Sequence, residues 1–231
     1  GIGADGLMVA EKSDHADMKM IYHNQDGTIA PMCGNGLRCF GRYIHEHKLV
    51  DKDKFTVETL AGILPVDVSK GYDRITIGLD SPEFDLSYPD VRKSVKDGGP
   101  VELNVSGKTY EMHVLFLGTL HGVIFTDEKI SPEVAHGICH HEFFPKAINV
   151  NFTKVKDRKN ISVRTFERGV GYTLACGTGV CAAQVMASRL GYTENGVHVK
   201  AEGGNLYVED LGEIYLTGPA AFIAKGEMEI G

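Results

Sequence analysis

Cys33-Gly34-Asn35-Gly36 and Cys176-Gly177-Thr178-Gly179 are one four-residue pattern written twice, 143 residues apart. A helix-compatible stretch follows each copy. After the first comes Leu37 to Leu49, with Leu37, Phe40 and Ile44 roughly on one face. After the second comes Val180 to Leu190, rich in Ala and apolar on most sides, which predicts a helix buried nearly all round. The match continues past the helices. Phe55 to Thr59 reads as a strand running into Leu60-Ala61-Gly62, and Val197 to Glu202 as one running into Gly203-Gly204. Strands at Leu64 to Val68 and Leu206 to Val208 follow, then Ile75-Thr76-Ile77 before Pro82 and Ile214-Tyr215-Leu216 before Pro219.

Each half therefore reads as strands, Cys-Gly-x-Gly, a helix, then more strands. The expected fold is α/β (α+β), with two similar domains related by a pseudo-twofold axis and a site in the cleft between them. Residues 1–81 with 219–231 form the first domain, and 82–218 the second. The crossover falls near Ser81 to Phe84. Pro219 to Gly231 is expected to add β structure to the first domain. The opening Gly1-Ile2-Gly3-Ala4-Asp5-Gly6 reads like the middle of a fold, so an upstream segment is expected.

Composition narrows the function. The 231 residues are 42% hydrophobic and 24% charged, as in an ordinary globular protein. The formal net charge of −7 argues against a nucleic-acid partner, which needs a basic patch. No apolar run is long enough to span a membrane, and no charged-then-apolar signal opens the chain. Five cysteines (Cys33, Cys39, Cys139, Cys176 and Cys181) without a signal segment favour free thiols in a reducing cytoplasm.

A cysteine just before a glycine-rich turn and a helix sits near backbone N–H groups that have no partner inside the helix. Their partial positive charge is expected to lower the thiol pKa toward neutrality. The glycines allow close approach of a ligand, and the amides form a cradle for a carboxylate. With a twofold axis between the domains, the two thiols face each other. A carboxylate held by both helix starts then places its α-carbon between them. One thiolate removes the α-proton and the opposite thiol protonates the other face, which inverts the centre. Helix amides aimed at the carboxylate supply several kcal/mol toward the developing negative charge.

Other readings fit less well. Cys₄ zinc ligation by Cys33, Cys39, Cys176 and Cys181 has intervals that interrupt the helices. A Cys33–Cys176 disulfide suits an oxidised, inactive form. A cysteine hydrolase with His121 as base leaves the second Cys-Gly-x-Gly unexplained. Cys39, Cys139 and Cys181 read as packing residues.

At these residues the sequence resembles the diaminopimelate epimerase family, a cofactor-independent group of amino-acid racemases and epimerases. The resemblance spans the chain. It rests on Gly1 to Gly6, Asn24-Gln25-Asp26-Gly27-Thr28, Met32 to Cys39, Glu167-Arg168-Gly169 and Ala175 to Gly179, with Asn24 and Glu167 each nine residues before its cysteine. It implies a barrel-like sheet around a central helix in each domain. It implies Cys33 and Cys176 as the two bases, and His121 and Glu167 as residues that tune their protonation, with His121 responding to a carboxylate neighbour. Gly34, Asn35, Gly177 and Thr178 would offer amides to the reacting carboxylate. Asn24, Asn149 and Arg168 would hold the substrate's distal end, where a planar guanidinium suits a carboxylate, and Glu167 would also contact the substrate.

The chain departs from the pattern just before His121. Gly118-Thr119-Leu120-His121 stands where the family carries Gly-Asn-Pro-His, so Thr119 replaces a substrate-binding Asn. The resemblance implies interconversion of L,L- and meso-diaminopimelate without pyridoxal phosphate, other cofactor or metal, on the route to lysine and peptidoglycan precursors. The alternatives are a racemase of another amino acid in the same fold, and a member that only binds an amino acid. The expected partner is a small-molecule substrate, with a homodimer left open.

Overall fold

The computed structural model describes residues 3–227. Its first part runs β1 (Gly6–Glu11), β2 (Met18–Asn24), β3 (Ile29–Ala30), α1 (Gly34–Glu46), β4 (Lys54–Thr59), β5 (Gly62–Asp67) and β6 (Ile75–Leu79). A middle part follows, with β7 (Val101–Val105), β8 (Lys108–Leu117), β9 (Thr119–Phe125) and α2 (Pro132–Cys139). The last part is β10 (Asn149–Asp157), β11 (Asn160–Glu167), β12 (Gly171–Thr173), α3 (Gly177–Arg189), β13 (Gly196–Ala201), β14 (Gly204–Asp210) and β15 (Ile214–Gly218). The fold is α+β and dominated by sheet.

The repeat in the sequence is a repeat in the topology. Shifting α1 by the 143-residue offset lands on α3 at both ends. β1 pairs antiparallel with β2 as β10 does with β11, and Leu7 faces His23 as Val150 faces Phe166. β2 runs parallel to β4 as β11 does to β13. The hairpins β4–β5 and β13–β14 correspond in the same way. The last strands of the two halves, β6 and β15, pair antiparallel with each other, joining both halves into one 15-stranded sheet.

The helices fill the hollows of this sheet. α1 buries Leu37, Phe40 and Ile44 on one stripe and rests on β1, β2, β5 and β6. α3 buries ten of its 13 residues and is touched by strands from β8 round to β15. Both helices join one apolar core with the inward faces of β4, β5, β6, β14 and β15. A second core lies under α2, where Leu103, Met112, Ile138 and Phe152 pack.

Two expectations need correction. The helices begin at Gly34 and Gly177, three residues before the apolar stripes that signalled them, because each cysteine is itself the extended N-cap residue. Pro219 to Glu227 also forms no strand. Pro219 lacks an N–H for a ladder. The carbonyls of Pro219 and Ala220 are taken by the Arg38 and Arg42 side chains, and the Ala220 N–H donates to the Tyr72 carbonyl. The segment still lies against the first half, and its residues 228–231 fall outside the described residues.

Candidate active site

The two helix starts meet. A methyl group built on Gly177 would lie 3.5 Å from the Gly34 Cα, and one built on Gly34 would lie 3.8 Å from the Gly177 Cα. Leu216 flanks both glycines. Asn35 crosses the junction, its Nδ2 donating to the carbonyl of Ala175 at 3.1 Å, while Arg38 holds the Asn35 Oδ1 at 3.0 Å. Cys33 and Cys176 are the residues immediately before these touching glycines. The first turns of two helices, each preceded by a cysteine at its N-cap position, therefore meet at one junction.

Cys176 is buried and lies beside Glu167 and Thr178. Its sulfur is 3.6 Å from the Thr178 Oγ1. Burial first, and then the Glu167 carboxylate, push the thiol up to about 12, and the Thr178 hydrogen bond opposes them. The expected lowering by the helix start does not win here. That effect is worth at most about 2 kcal/mol for an anion, and burial beside a carboxylate exceeds it. Glu167 is itself held by Thr173, whose hydroxyl donates to Oε1 at 2.6 Å.

Cys33 is half-buried, and its sulfur accepts the Gly36 N–H at 3.3 Å. The Tyr22 phenol lies against it. Burial first, and then the Cys33 charge and hydrogen bond, raise Tyr22 to about 12. Gly6 leaves room for the Tyr22 ring, since a Cβ there would collide with the phenol.

His121 comes from β9, which follows β8 through the single residue Gly118 at φ +69°. The side chain is fully buried, its Nε2 is 3.0 Å from the Thr178 Oγ1, and its Nδ1 is 3.3 Å from the Asn151 Nδ2. The expected carboxylate neighbour is absent among its contacts. Burial, and then the positive charge of Arg168, bring His121 down to about 3, so it is neutral in the physiological range.

Arg168, Thr119 and Asn149 form a second group beside these. The Arg168 guanidinium donates to the Thr119 hydroxyl at 3.2 Å and to the Lys146 carbonyl at 3.3 Å. The Asn149 Oδ1 accepts the Arg168 N–H at 3.0 Å. Asn24 stands apart. It is exposed at the end of β2 and donates to Thr28 within its own turn, so no contact joins it to the others. Cys39 is exposed rather than packed, whereas Cys139 and Cys181 are buried as expected.

Four residues near the junction were given no role when the motifs were read singly: Tyr22, Arg38, Asn151 and Thr165. The repeat gives each of them a counterpart. The 143-residue offset relates Tyr22 to Thr165 and Met8 to Asn151, and it relates Arg38 to Cys181.

The fold, built from two like halves, is shared with proteins of the proline racemase and PhzF type. A probable proline racemase from Agrobacterium radiobacter K84 has a TM-score of 0.68 at 13% identity, covering 98% of this chain and 76% of that one. A PhzF-family phenazine biosynthesis protein from Enterococcus faecalis has a TM-score of 0.66 at 16% identity, covering 98% and 83%. The family is narrower than the fold. The diaminopimelate epimerase family model matches residues 1–84 and 115–223. A diaminopimelate epimerase from Caldanaerobacter subterraneus subsp. tengcongensis is 42% identical over 238 residues, covering 100% of this chain and 87% of the relative. Another from Alkaliphilus metalliredigens is 38% identical, covering 98% and 83%. The chain belongs to the diaminopimelate epimerase family and is an isomerase.

Proposed function

We propose that this protein interconverts L,L- and meso-diaminopimelate by a two-base mechanism in which Cys33 and Cys176 act on opposite faces of one α-carbon. The observation that carries the reading is the contact of Gly34 with Gly177, each the first residue of a helix capped by a cysteine. The amides at Gly34, Asn35, Gly177 and Thr178 take the substrate's α-carboxylate and stabilise the charge that moves onto it when the α-proton leaves. Cys176 holds its proton at neutral pH, so it enters as the acid and Cys33 as the base. Cys33 gains the α-proton as Cys176 gives its own to the other face. In the reverse reaction the roles exchange. Every proton is accounted for by the two thiols, and the scheme calls for no cofactor.

Arg168 supports recognition of the distal carboxylate, held in place by Thr119 and Asn149. Asn24 joins this set only if its side chain leaves Thr28. The division into residues 1–81 with 219–231 and residues 82–218 is the matching domain reading. It is supported by the β6–β15 pairing, where the halves adjoin, and by the packing of Pro219 and Ala220 on α1. Among the described residues no helix is long and apolar enough to cross a membrane. The free thiol pair suits a reducing cytoplasm.

The test is stereochemical. Purified protein is incubated with L,L-diaminopimelate and, separately, with amino acids that have one stereocentre. Inversion of L,L-diaminopimelate alone is expected. Inversion of a single-centre amino acid, with none of L,L-diaminopimelate, would move the substrate assignment elsewhere in the fold class.

A further inference from the structure

We propose that Asn151 is a positioning residue that fixes the tautomer of His121 and thereby aims the Thr178 hydroxyl at the sulfur of Cys176. The inference deepens the two-base reading and rests on it. Asn151 sits on β10, fully buried, directly opposite Thr165 on β11. Its amide has only one possible orientation. Nδ2 lies 3.0 Å from the Gly122 carbonyl, which only accepts, and the Thr165 hydroxyl donates to Oδ1 at 2.9 Å. The second Nδ2 proton therefore points at the His121 Nδ1, 3.3 Å away, and that nitrogen must be the acceptor.

The remaining links follow. A neutral imidazole that accepts at Nδ1 carries its proton on Nε2. The Nε2–H donates to the Thr178 Oγ1 at 3.0 Å. The Thr178 hydroxyl, already accepting from His121, turns its own proton toward the Cys176 sulfur at 3.6 Å. With the other tautomer the Thr178 proton would turn back to Nε2, and the sulfur would face oxygen lone pairs. The difference matters when Cys176 has given its proton away. The resulting thiolate is buried beside the Glu167 carboxylate and needs a donor. In the other half Met8, whose side chain has no donor, takes the place related to Asn151.

The direct readout is the ¹⁵N spectrum of His121 in the free protein, assigned by its loss in His121→Gln. The wild type is expected to show an unprotonated Nδ1 and a protonated Nε2. Asn151→Leu removes the donor at similar volume. It is expected to shift both nitrogens toward a mixture of tautomers and to lower kcat about 10–100-fold, the worth of one hydrogen bond to a charged group, with KM changed less than about threefold. A protonated Nδ1 in the wild type overturns the proposal even if the variant does not fold. An unchanged tautomer in Asn151→Leu overturns it whatever kcat does, and so does a changed tautomer with unchanged kcat. The spectrum does not depend on turnover. If alanine variants of the cysteines still invert substrate, the two-base reading falls while the tautomer result stands.

Discussion

The surroundings of Gly36 and Gly179 show how far the two halves have diverged within one backbone. A Cβ on Gly36 would meet the Met8 sulfur at 3.2 Å, the Cys33 Cβ at 3.3 Å and the Tyr22 ring at 3.3 Å. A Cβ on Gly179 would meet the Asn151 Oδ1, the Cys176 Cβ at 3.2 Å and the Thr165 Oγ1 at 3.2 Å. The three neighbours correspond pairwise through the 143-residue offset. Backbone and packing positions have been kept while the chemistry has changed. The first half sets a thioether and a phenol beside its helix start and leaves its sulfur half-exposed. The second encloses its sulfur and supplies a pinned chain of hydrogen bonds. A reaction that swaps acid and base between two faces does not require two identical bases. It requires each thiol to hold and release a proton in turn, and the two halves meet that need by different means.

The sharpest way to break this comparison is to remove either sulfur. Cys33→Ala and Cys176→Ala are each expected to lower inversion of L,L-diaminopimelate by at least about 10²–10⁴-fold, the usual worth of one acid–base group. Near-wild-type turnover in one variant would leave that half as scaffold. Glycine substitution gives a smaller effect that separates the halves by stability. The Asn151 oxygen in the way at Gly179 is fixed by Thr165 and by the two bonds from Nδ2, so Gly179→Ala must disturb a satisfied network and is expected to cost about 1–3 kcal/mol. Met8 at Gly36 is flexible and can swing aside, so Gly36→Ala is expected to cost less. Denaturant unfolding of the two variants measures the difference. Equal losses would mean that the second half is no more tightly determined than the first.

Much of this was legible in the sequence because a tandem repeat states its own fold. Two matching Cys-Gly-x-Gly turns, each followed by helix and strands at one offset, specify two like halves before any contact is known. The residues around each sulfur were legible only in part. Glu167 and Thr178 lie at Cys176 with His121 behind Thr178, and Thr119, Asn149 and Arg168 are linked to one another, whereas Asn24 turns toward Thr28. The rise of the Cys176 pKa was not legible. Its cause is burial beside Glu167, which returns to the cysteine through the β11–β12 turn, and burial is a property of the assembled core. Asn151 escaped notice for a similar reason. Its role depends on the pairing of β9, β10 and β11, which sets Thr165 opposite it and brings Gly122 and His121 within reach. The last segment misled because its β-like composition says nothing of Arg38 and Arg42, which claim its carbonyls.

The central claim is that the two sulfurs act from opposite faces. Turnover of L,L-diaminopimelate in D₂O, stopped after a few per cent conversion, tests it most directly. Free thiols exchange with solvent, so the acid on one side delivers deuterium, while the base on the other returns the protium it has just removed. Deuterium is therefore expected at the inverted carbon of the meso product and not in the recovered L,L substrate. Equal deuterium in both pools, or protium retained in the product, would mean that a single group serves both faces and would contradict the account.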